Sequence, residues 1–227
     1  MLDSGTMVIV RGFGSGVHAG ELLDRDPRNP GVITLGKSRR FWSWGAYNEK
    51  VVTCSEAARV GPNKHSRIGV EVPLIILMDG MECIEMENVA VSMMNEQGWE
   101  GEPVVPNNFI PAPTGDPKFD QSPLDGVVGR YCLVRTHDAG LFVAKVEEWD
   151  HATALWGVFS DAMRILEWGS LGTRDKIWSL GELAMFGVGT NSKIAKPVAN
   201  MELHNIIELT PMTAIALERV RACSNSK

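Results

Sequence analysis

The sequence lacks the features that would tie it to a membrane or to nucleic acid. Its longest apolar run, Pro73 to Met78, is far too short to cross a bilayer. The N-terminus has no long apolar stretch of the kind found in secretory signals. The net charge is −6, whereas a protein that coats nucleic-acid phosphates needs a basic face. We therefore expect neither a membrane partner nor a nucleic-acid partner.

Metal-binding and catalytic patterns are also missing from the sequence. The four cysteines show neither CxxC spacing nor Cys/His ligand spacing, so we expect reduced thiols, as in a cytosolic protein. The five histidines lie in unlike contexts, and His137-Asp138 is typical of a turn with an exposed imidazole. No nucleophile and base stand at a catalytic spacing. We predict a protein that is not an enzyme and that has no metal, no cofactor and no catalytic residues.

The sequence does contain an internal repeat. Residues 38–45 read SRRFWSWG, and residues 163–169 read MRILEWG. Arg40 precedes Arg164 by 124 residues, and Trp44 precedes Trp168 by the same number. Further along, residues 55–85 align with 181–211 at an offset of 126, which one two-residue insertion explains. We infer a tandem duplication.

The pattern within each copy predicts an α+β fold that is mainly β. Short β-branched and alternating segments, broken by glycine turns, predict two repeated β-roll or barrel-like units, each with one short helix. Residues 213–223 have helical spacing and add a C-terminal helix without a partner in the first copy, where Asn88 to Met94 is only a weak candidate. We expect matching strand order in a first repeat at 1–86 and a second at 131–227. Between them, residues 87–130 carry six of the twelve prolines and predict an extended linker.

A glycine-rich segment at 12–20 permits two interpretations. Its spacing resembles a phosphate-binding loop, but no helical stretch follows it to point an N-terminus at an anion. The positive φ angles that glycine tolerates favour a tight turn between two strands. We favour the turn.

A set of short motifs recurs in the two copies. The first copy shows Arg11, Ser15-Gly16-Val17-His18 and Gly20, then residues 39–46 (RRFWSWGA) and Ser66-Arg67-Ile68. The second shows Arg135, Ala139-Gly140, Arg164, Trp168-Gly169, Gly187-Val188, Ser192-Lys193-Ile194, Pro197-Val198 and Ile207-Glu208. These motifs resemble those of a family of small bacteriophage and prophage proteins of unknown function. The resemblance implies a phage origin, with the virion or the host cytoplasm as its location, and it implies no activity.

The arginine and tryptophan stretch is the strongest candidate for a binding surface. Trp and Arg dominate binding hot spots, and the first copy keeps more of the motif than the second. The candidate ligand- or partner-binding residues are Arg11, His18, Arg39, Arg40 and Trp42. Trp44 and Trp168 are predicted instead to be buried, one in each core.

One histidine and one pair of glutamates leave structural and functional interpretations open. His18 is either a binding residue or, as we prefer, a strand histidine bonded to a neighbouring carbonyl. Glu82 and Glu208 occupy equivalent positions. Each is either a general acid or, as we prefer, the ion-pair partner of Arg40 or Arg164 within its own repeat.

Two functional hypotheses follow. The first is a non-enzymatic phage protein that acts by protein–protein contact in an oligomeric assembly, as a decoration or connector component of the virion. The second is a phage-encoded intracellular binder that sequesters a host defence factor or a signalling nucleotide. The expected partners are other phage proteins, a host protein, or both.

Overall fold

A computed structural model of the chain describes residues 2–43, 53–63, 66–97, 125–150, 155–168 and 180–225. The first repeat contains β1 (Met7–Gly12), β2 (Gly16–Arg25), β3 (Ile33–Ser43), α1 (Cys54–Val60), β4 (Arg67–Ile68), β5 (Val72–Leu77), β6 (Gly80–Glu85) and α2 (Asn88–Glu96). The second contains β7 (Tyr131–Thr136), β8 (Leu141–Trp149), β9 (Trp156–Glu167), α3 (Leu180–Phe186), β10 (Lys193–Ile194), β11 (Val198–His204), β12 (Ile206–Pro211) and α4 (Ala214–Asn225). A 3-10 turn at Asp125–Val127 precedes β7.

The two repeats have the same strand order, which confirms the predicted duplication and the mainly β fold. In the first, the antiparallel path runs β5-β3-β2-β1-β6, with β4 also paired to β3. In the second, the path runs β11-β9-β8-β7-β12, with β10 paired to β9. Every strand of one path is the counterpart of the strand at the same place in the other.

Chain connectivity forces each five-stranded sheet to curl. Strands β5 and β6 lie at opposite ends of the path, yet only residues 78 and 79 separate them. Four strand spacings in a flat sheet measure about 19 Å, whereas three Cα steps reach at most about 11 Å. The two edges must therefore converge at this corner, as in a small roll.

Each roll buries both faces of its strands. On one face of the first repeat, Ile9, Val17, Ala19 and Phe41 pack against α1 and α2. On the other face, Val8, Val10, Leu22 and Leu35 fill the inside of the roll. This alternation is the period-two pattern of a strand covered on both sides. The second repeat has equivalent helix-side and inner clusters.

The repeats join through one edge of each sheet. Strand β12 pairs with β5 in antiparallel register, with Glu208 opposite Leu77 and Leu209 opposite Ile76. Ile75 and Leu77 of β5 point into the first core. Leu74, Ile76 and Met78 belong to the inner core of the second repeat. The result is a continuous twelve-stranded sheet.

The C-terminal helix does have a counterpart, so this detail of the prediction was wrong. Helix α2 begins at Asn88 and α4 begins at Ala214, which is the same offset of 126 as the strands before them. Its signal in the sequence is weak because Glu87 makes no side-chain cap and only Ala90 and Met94 are buried. Packing against α1 helps to hold it in place. Helix α2 lies within the segment predicted as linker, and residues 98–124 of that segment lie outside the described residues.

The expected burial of Trp168 was also wrong. Strand β9 ends at Glu167, so Trp168 follows the last paired residue, and 40% of it is exposed. Trp44, its counterpart, lies outside the described residues. The large aromatics that do fill the second core are Phe142, Trp149 and Phe159. Within the part of the chain that the structure describes, no helix has the length and apolar character needed to span a membrane.

Candidate functional site

Arg40 and Trp42 lie near the end of β3, on the face opposite its helix-side core. Phe41 between them packs against that core, so its two neighbours point the other way. The Arg40 guanidinium carbon lies 4.4 Å from the centroid of the Trp42 ring, which is a cation–π contact. The Trp42 residue remains 41% exposed. The strand thus presents an indole at the surface with a guanidinium beneath it.

Gly16 allows the Arg40 guanidinium to occupy this position. Its φ of +87° is strained for other residues, and a Cβ there would come within 3.0 Å of Arg40 Nη2. Gly140 has the same relation to Arg164 in the second repeat, with φ of +101° and a Cβ distance of 3.4 Å. Both repeats therefore place an arginine over the glycine that follows the first turn.

Glu208 lies between two arginines at the junction of the repeats. Its Oε2 is 4.0 Å from Arg40 Nη1, which comes from the first repeat, and 4.0 Å from Arg135 Nη1, which comes from its own. The Glu208 side chain is only 2% exposed, and Oε2 accepts no hydrogen bond from a described residue. Burial raises the pKa of Glu208 to about 7, against the opposite influence of Arg40 and Arg135.

The predicted partners of the two glutamates were wrong. Glu82 pairs with Arg11 at 3.7 Å, not with Arg40. Glu208 pairs with Arg135, the counterpart of Arg11, and with Arg40 from the other repeat, not with Arg164. Arg135–Glu208 in the second repeat is therefore the counterpart of Arg11–Glu82 in the first. At the junction, Arg40 joins the Arg135–Glu208 pair.

His18 has the structural role that we preferred. It lies opposite Arg40 in the β2–β3 register, is 2% exposed, and places Nε2 3.1 Å from the carbonyl oxygen of Ser15. Burial lowers the pKa of His18 to about 3, and the Arg40 guanidinium acts in the same direction. The imidazole is therefore neutral at physiological pH and supports the turn before it.

The glycine segment forms the turn that we favoured. Its backbone N–H groups bind a carboxylate of the same chain, that of Asp79. The backbone N–H groups of Gly14 and Ser15 both donate to Asp79 Oδ2, the second at 3.0 Å. Ser15 Oγ donates to the other carboxylate oxygen of Asp79. Asp79 lies in the link between β5 and β6, so this contact ties the turn to the corner of the roll.

The remaining two candidate residues lie on the opposite face from Arg40. Arg39 donates from Nε to the carbonyl of Gly69, from Nη1 to that of Met94 and from Nη2 to that of Gln97. The last two contacts satisfy carbonyls at the C-terminus of α2, as a basic residue does there. Arg11 is half exposed beside Glu82. The structure therefore brings together His18, Arg40 and Trp42, and it separates Arg11 and Arg39 from them.

Sequence reasoning missed Phe13, which lies at the tip of the β1–β2 turn and is 81% exposed. The register places Trp42 across from Gly16, at the end of the sheet where this turn lies. A phenylalanine between two glycines of a surface turn was the available signal, since a turn rarely needs a large apolar side chain. We call Phe13, Arg40 and Trp42 the aromatic surface.

The described residues also bear on metal binding. Within the ranges that the structure describes, no group of three or more His, Cys, Asp or Glu side chains converges on a point that could hold a metal ion. The four cysteines are free thiols, and burial raises the pKa of Cys132 to about 12.

The chain belongs to a family described as a domain of unknown function, DUF6948. The family's sequence profile matches residues 5–94 and, a second time, residues 129–220. The two matches begin 124 residues apart and end 126 apart, in agreement with the offsets of the strands. Comparisons with curated proteins and with solved structures gave no match.

Proposed function

We propose that this protein is a non-enzymatic bacteriophage protein that acts by protein–protein contact, as a decoration or connector component of the virion. The observation that carries the proposal is the aromatic surface. Phe13 is 81% exposed and Trp42 is 41% exposed, and Arg40 packs under the indole. Trp and Arg are enriched at the centres of interfaces, and the exposed Phe13 adds apolar area at the same end of the sheet.

The rigidity of this surface supports a binding role. Arg40 is held by Trp42 on one side and by Glu208 on the other, with Gly16 beneath its guanidinium. The turn that carries Phe13 is tied to the corner of the roll by Asp79. A surface fixed in this way loses little conformational entropy when a partner binds.

The titratable groups nearby have structural partners, which favours binding over catalysis. His18 is buried against a backbone carbonyl, and Glu208 is buried between two arginines. A general acid or base has to reach the substrate proton that it transfers. Neither group is exposed enough to do so. The phage origin rests on the resemblance of the motifs.

The alternative is an intracellular binder of a host factor or signalling nucleotide. The Arg40–Trp42 stack favours it in one respect, since an indole and a guanidinium can hold a base and a phosphate. However, the Arg40 side chain is only 15% exposed, and Glu208 already lies beside it. A free phosphate would have to compete with that carboxylate. The protein–protein role fits the geometry better.

Mass spectrometry of gradient-purified phage particles tests the choice. We expect the protein in particles or assembly intermediates at a fixed ratio to the major capsid or tail protein. A phage carrying Phe13→Ser together with Trp42→Ala should lose the protein from particles. The matched control is Leu166→Ala, because Leu166 is the 59% exposed counterpart of Trp42. Expression early in infection, with absence from particles and intermediates, would contradict the virion role and favour the alternative.

A further inference from the structure

Strands β6 and β12 hold the same place in the two repeats but have different neighbours. β12 pairs with β7 on one side and with β5 on the other. β6 pairs with β1 in the equivalent way, and no strand among the described residues pairs with its outer side. The outer side of β6 therefore presents backbone N–H and C=O groups that its counterpart uses at the junction.

The side chains of β6 show what the missing neighbour would cover. Met81 is 66% exposed, whereas its counterpart Ile207 is 9% exposed and packs against the first turn of the other repeat. The Glu82 side chain is 45% exposed, whereas that of Glu208 is 2% exposed. Strand β6 thus has the exposure expected of β12 with the junction removed.

The charge of this edge indicates what it can accept. Glu82 and Glu85 lie on β6, and Glu87 follows it. At the junction, the incoming sheet brings Arg40 to Glu208 as a second cation beside Arg135. At β6, Glu82 pairs with Arg11 of its own repeat, and among the described residues no arginine from another sheet adds a second ion pair to it.

We propose that the outer edge of β6 binds an extended segment of a partner protein by strand addition. The segment carries apolar side chains at alternate positions, to cover Met81, and a basic side chain that reaches Glu82. Main-chain pairing provides affinity in such complexes, and the alternate side chains provide specificity. This proposal rests on the free edge of β6 and does not depend on a phage role.

A second copy of the chain fits this edge poorly. Among the described strands, a copy could offer the outer edge of β11, whose residues Asn200 and Glu202 correspond to Leu74 and Ile76 of β5. Pairing would bury Glu202, whose Oε1 lies 3.1 Å from His204 Nε2 at the exposed rim, against apolar residues, which is costly. Two β6 edges would bring like charges together. A foreign segment avoids both penalties.

The test uses the full chain and two fluorescein-labelled nine-residue peptides, one alternating Lys with Val and one alternating Glu with Val. We expect the Lys–Val peptide alone to bind in fluorescence anisotropy, and bound peptide to slow amide hydrogen exchange over residues 80–85. Glu82→Lys should weaken binding of the Lys–Val peptide by about tenfold or more and should favour the Glu–Val peptide instead. The matched control is Glu202→Lys, which makes the same charge change on β11 and should leave the Kd within about twofold.

Several results would overturn the proposal. Equal weakening by Glu82→Lys and Glu202→Lys would show attraction to net charge alone. Binding without slower exchange over 80–85 would place the peptide elsewhere. Absence of binding would exclude strand addition by this class of segment. A dimer in sedimentation that Glu82→Lys dissociates would identify a second copy as the occupant.

Discussion

Strands β5 and β11 are counterparts in the fold, yet one is buried inside the molecule and the other forms its rim. In β5 every residue except Pro73 is buried, whereas in β11 only Leu203 is fully buried. The difference follows from the junction between the repeats, because β12 covers β5 and no described strand covers the outer side of β11. The outward positions are therefore apolar in β5, where the repeats meet, and mostly polar in β11.

The same contrast applies to the ion pairs. Arg11–Glu82 lies half exposed in the first repeat, where solvent screens it and its contribution to stability is small. Arg135–Glu208 is the same pair, but β5 and Arg40 enclose it. Enclosure strengthens the attraction between the charges and also penalises each charge for leaving water. Because the two ion pairs have the same residue types, a difference in their contributions to stability reflects their surroundings, burial and the added Arg40, rather than residue type.

The largest expected effect comes from placing the side chain of β11 on β5. Ile76→Glu introduces the residue found at Glu202 into a position that is 0% exposed. It both removes apolar contacts with the second core and buries an unpaired carboxylate, so we expect a loss of unfolding free energy on the order of 5 kcal/mol or more. Urea unfolding followed by tryptophan fluorescence measures it. The reverse change, Glu202→Ile, is the control and should alter stability by less than about 1 kcal/mol. Similar losses in the two variants would mean that the junction is not a packed core.

Part of this asymmetry was readable in the sequence. The run VPLIILM at 72–78 is continuously apolar, which is typical of a strand covered on both faces, whereas VANMELH at 198–204 is mixed. The constant offset also predicted the matching strand order, because gaps are rare between the copies. The sequence could not predict which edge strands pair at the junction. Each repeat has two edge strands, and the repeat pattern alone does not distinguish between the possible pairings.

The errors in the candidate site have the same origin. The repeat pattern predicts that Arg40 pairs with Glu82 of its own repeat. Instead, Arg40 contacts Glu208, the counterpart of Glu82, across the junction. Trp168 was expected to be buried because it is large and repeated. It follows the end of β9, and a repeated motif does not show where strand pairing stops. Phe13 corresponds to His137 in the second repeat. Because the large apolar side chain is not repeated, the repeat pattern does not identify Phe13 as a candidate.

The next effect concerns acid stability, and it uses the difference between His18 and its counterpart Phe142. Burial lowers the pKa of His18 to about 3 from 6.5, so the folded state binds fewer protons than the unfolded state between those values. Stability from this group is therefore present above pH 6.5 and is lost as the pH falls toward 3. The charged groups that act on His18 are Arg40, Asp79 and Arg135.

His18→Phe copies the second repeat, where Arg164 lies 5.9 Å from the Phe142 ring, and removes this titration. We expect the variant to lose less stability than the wild type between pH 6.5 and pH 4, and the full difference at pH 3 to be on the order of 4 kcal/mol. The reverse variant, Phe142→His, should become more sensitive to acid. Unfolding curves at pH 7, 5 and 4 measure both. An unchanged pH dependence in His18→Phe would show that His18 has the same pKa in the folded and unfolded states.

The smallest effect has the opposite sign with pH and concerns Glu208. Burial raises its pKa to about 7, so the folded state binds more protons than the unfolded state above the ordinary value of 4.5. Stability from this group is present below pH 4.5 and is lost as the pH rises through 7. Glu208→Gln keeps the volume and cannot ionise. Relative to the wild type, it should therefore gain about 3 kcal/mol between pH 4.5 and pH 8.

The two titrations oppose each other between pH 4.5 and pH 6.5, so only the single variants separate them. Glu82→Gln removes the equivalent carboxylate from the half-exposed pair and serves as the control for losing a partner of arginine. Urea unfolding of Glu208→Gln and the wild type at pH 5 and pH 8 decides the outcome. If Glu208→Gln is less stable than the wild type by the same amount at both values, the two arginines outweigh burial and Glu208 remains ionised throughout. In that case the junction holds a full charge triad, and the contrast with the exposed pair of the first repeat lies in attraction between charges rather than in desolvation.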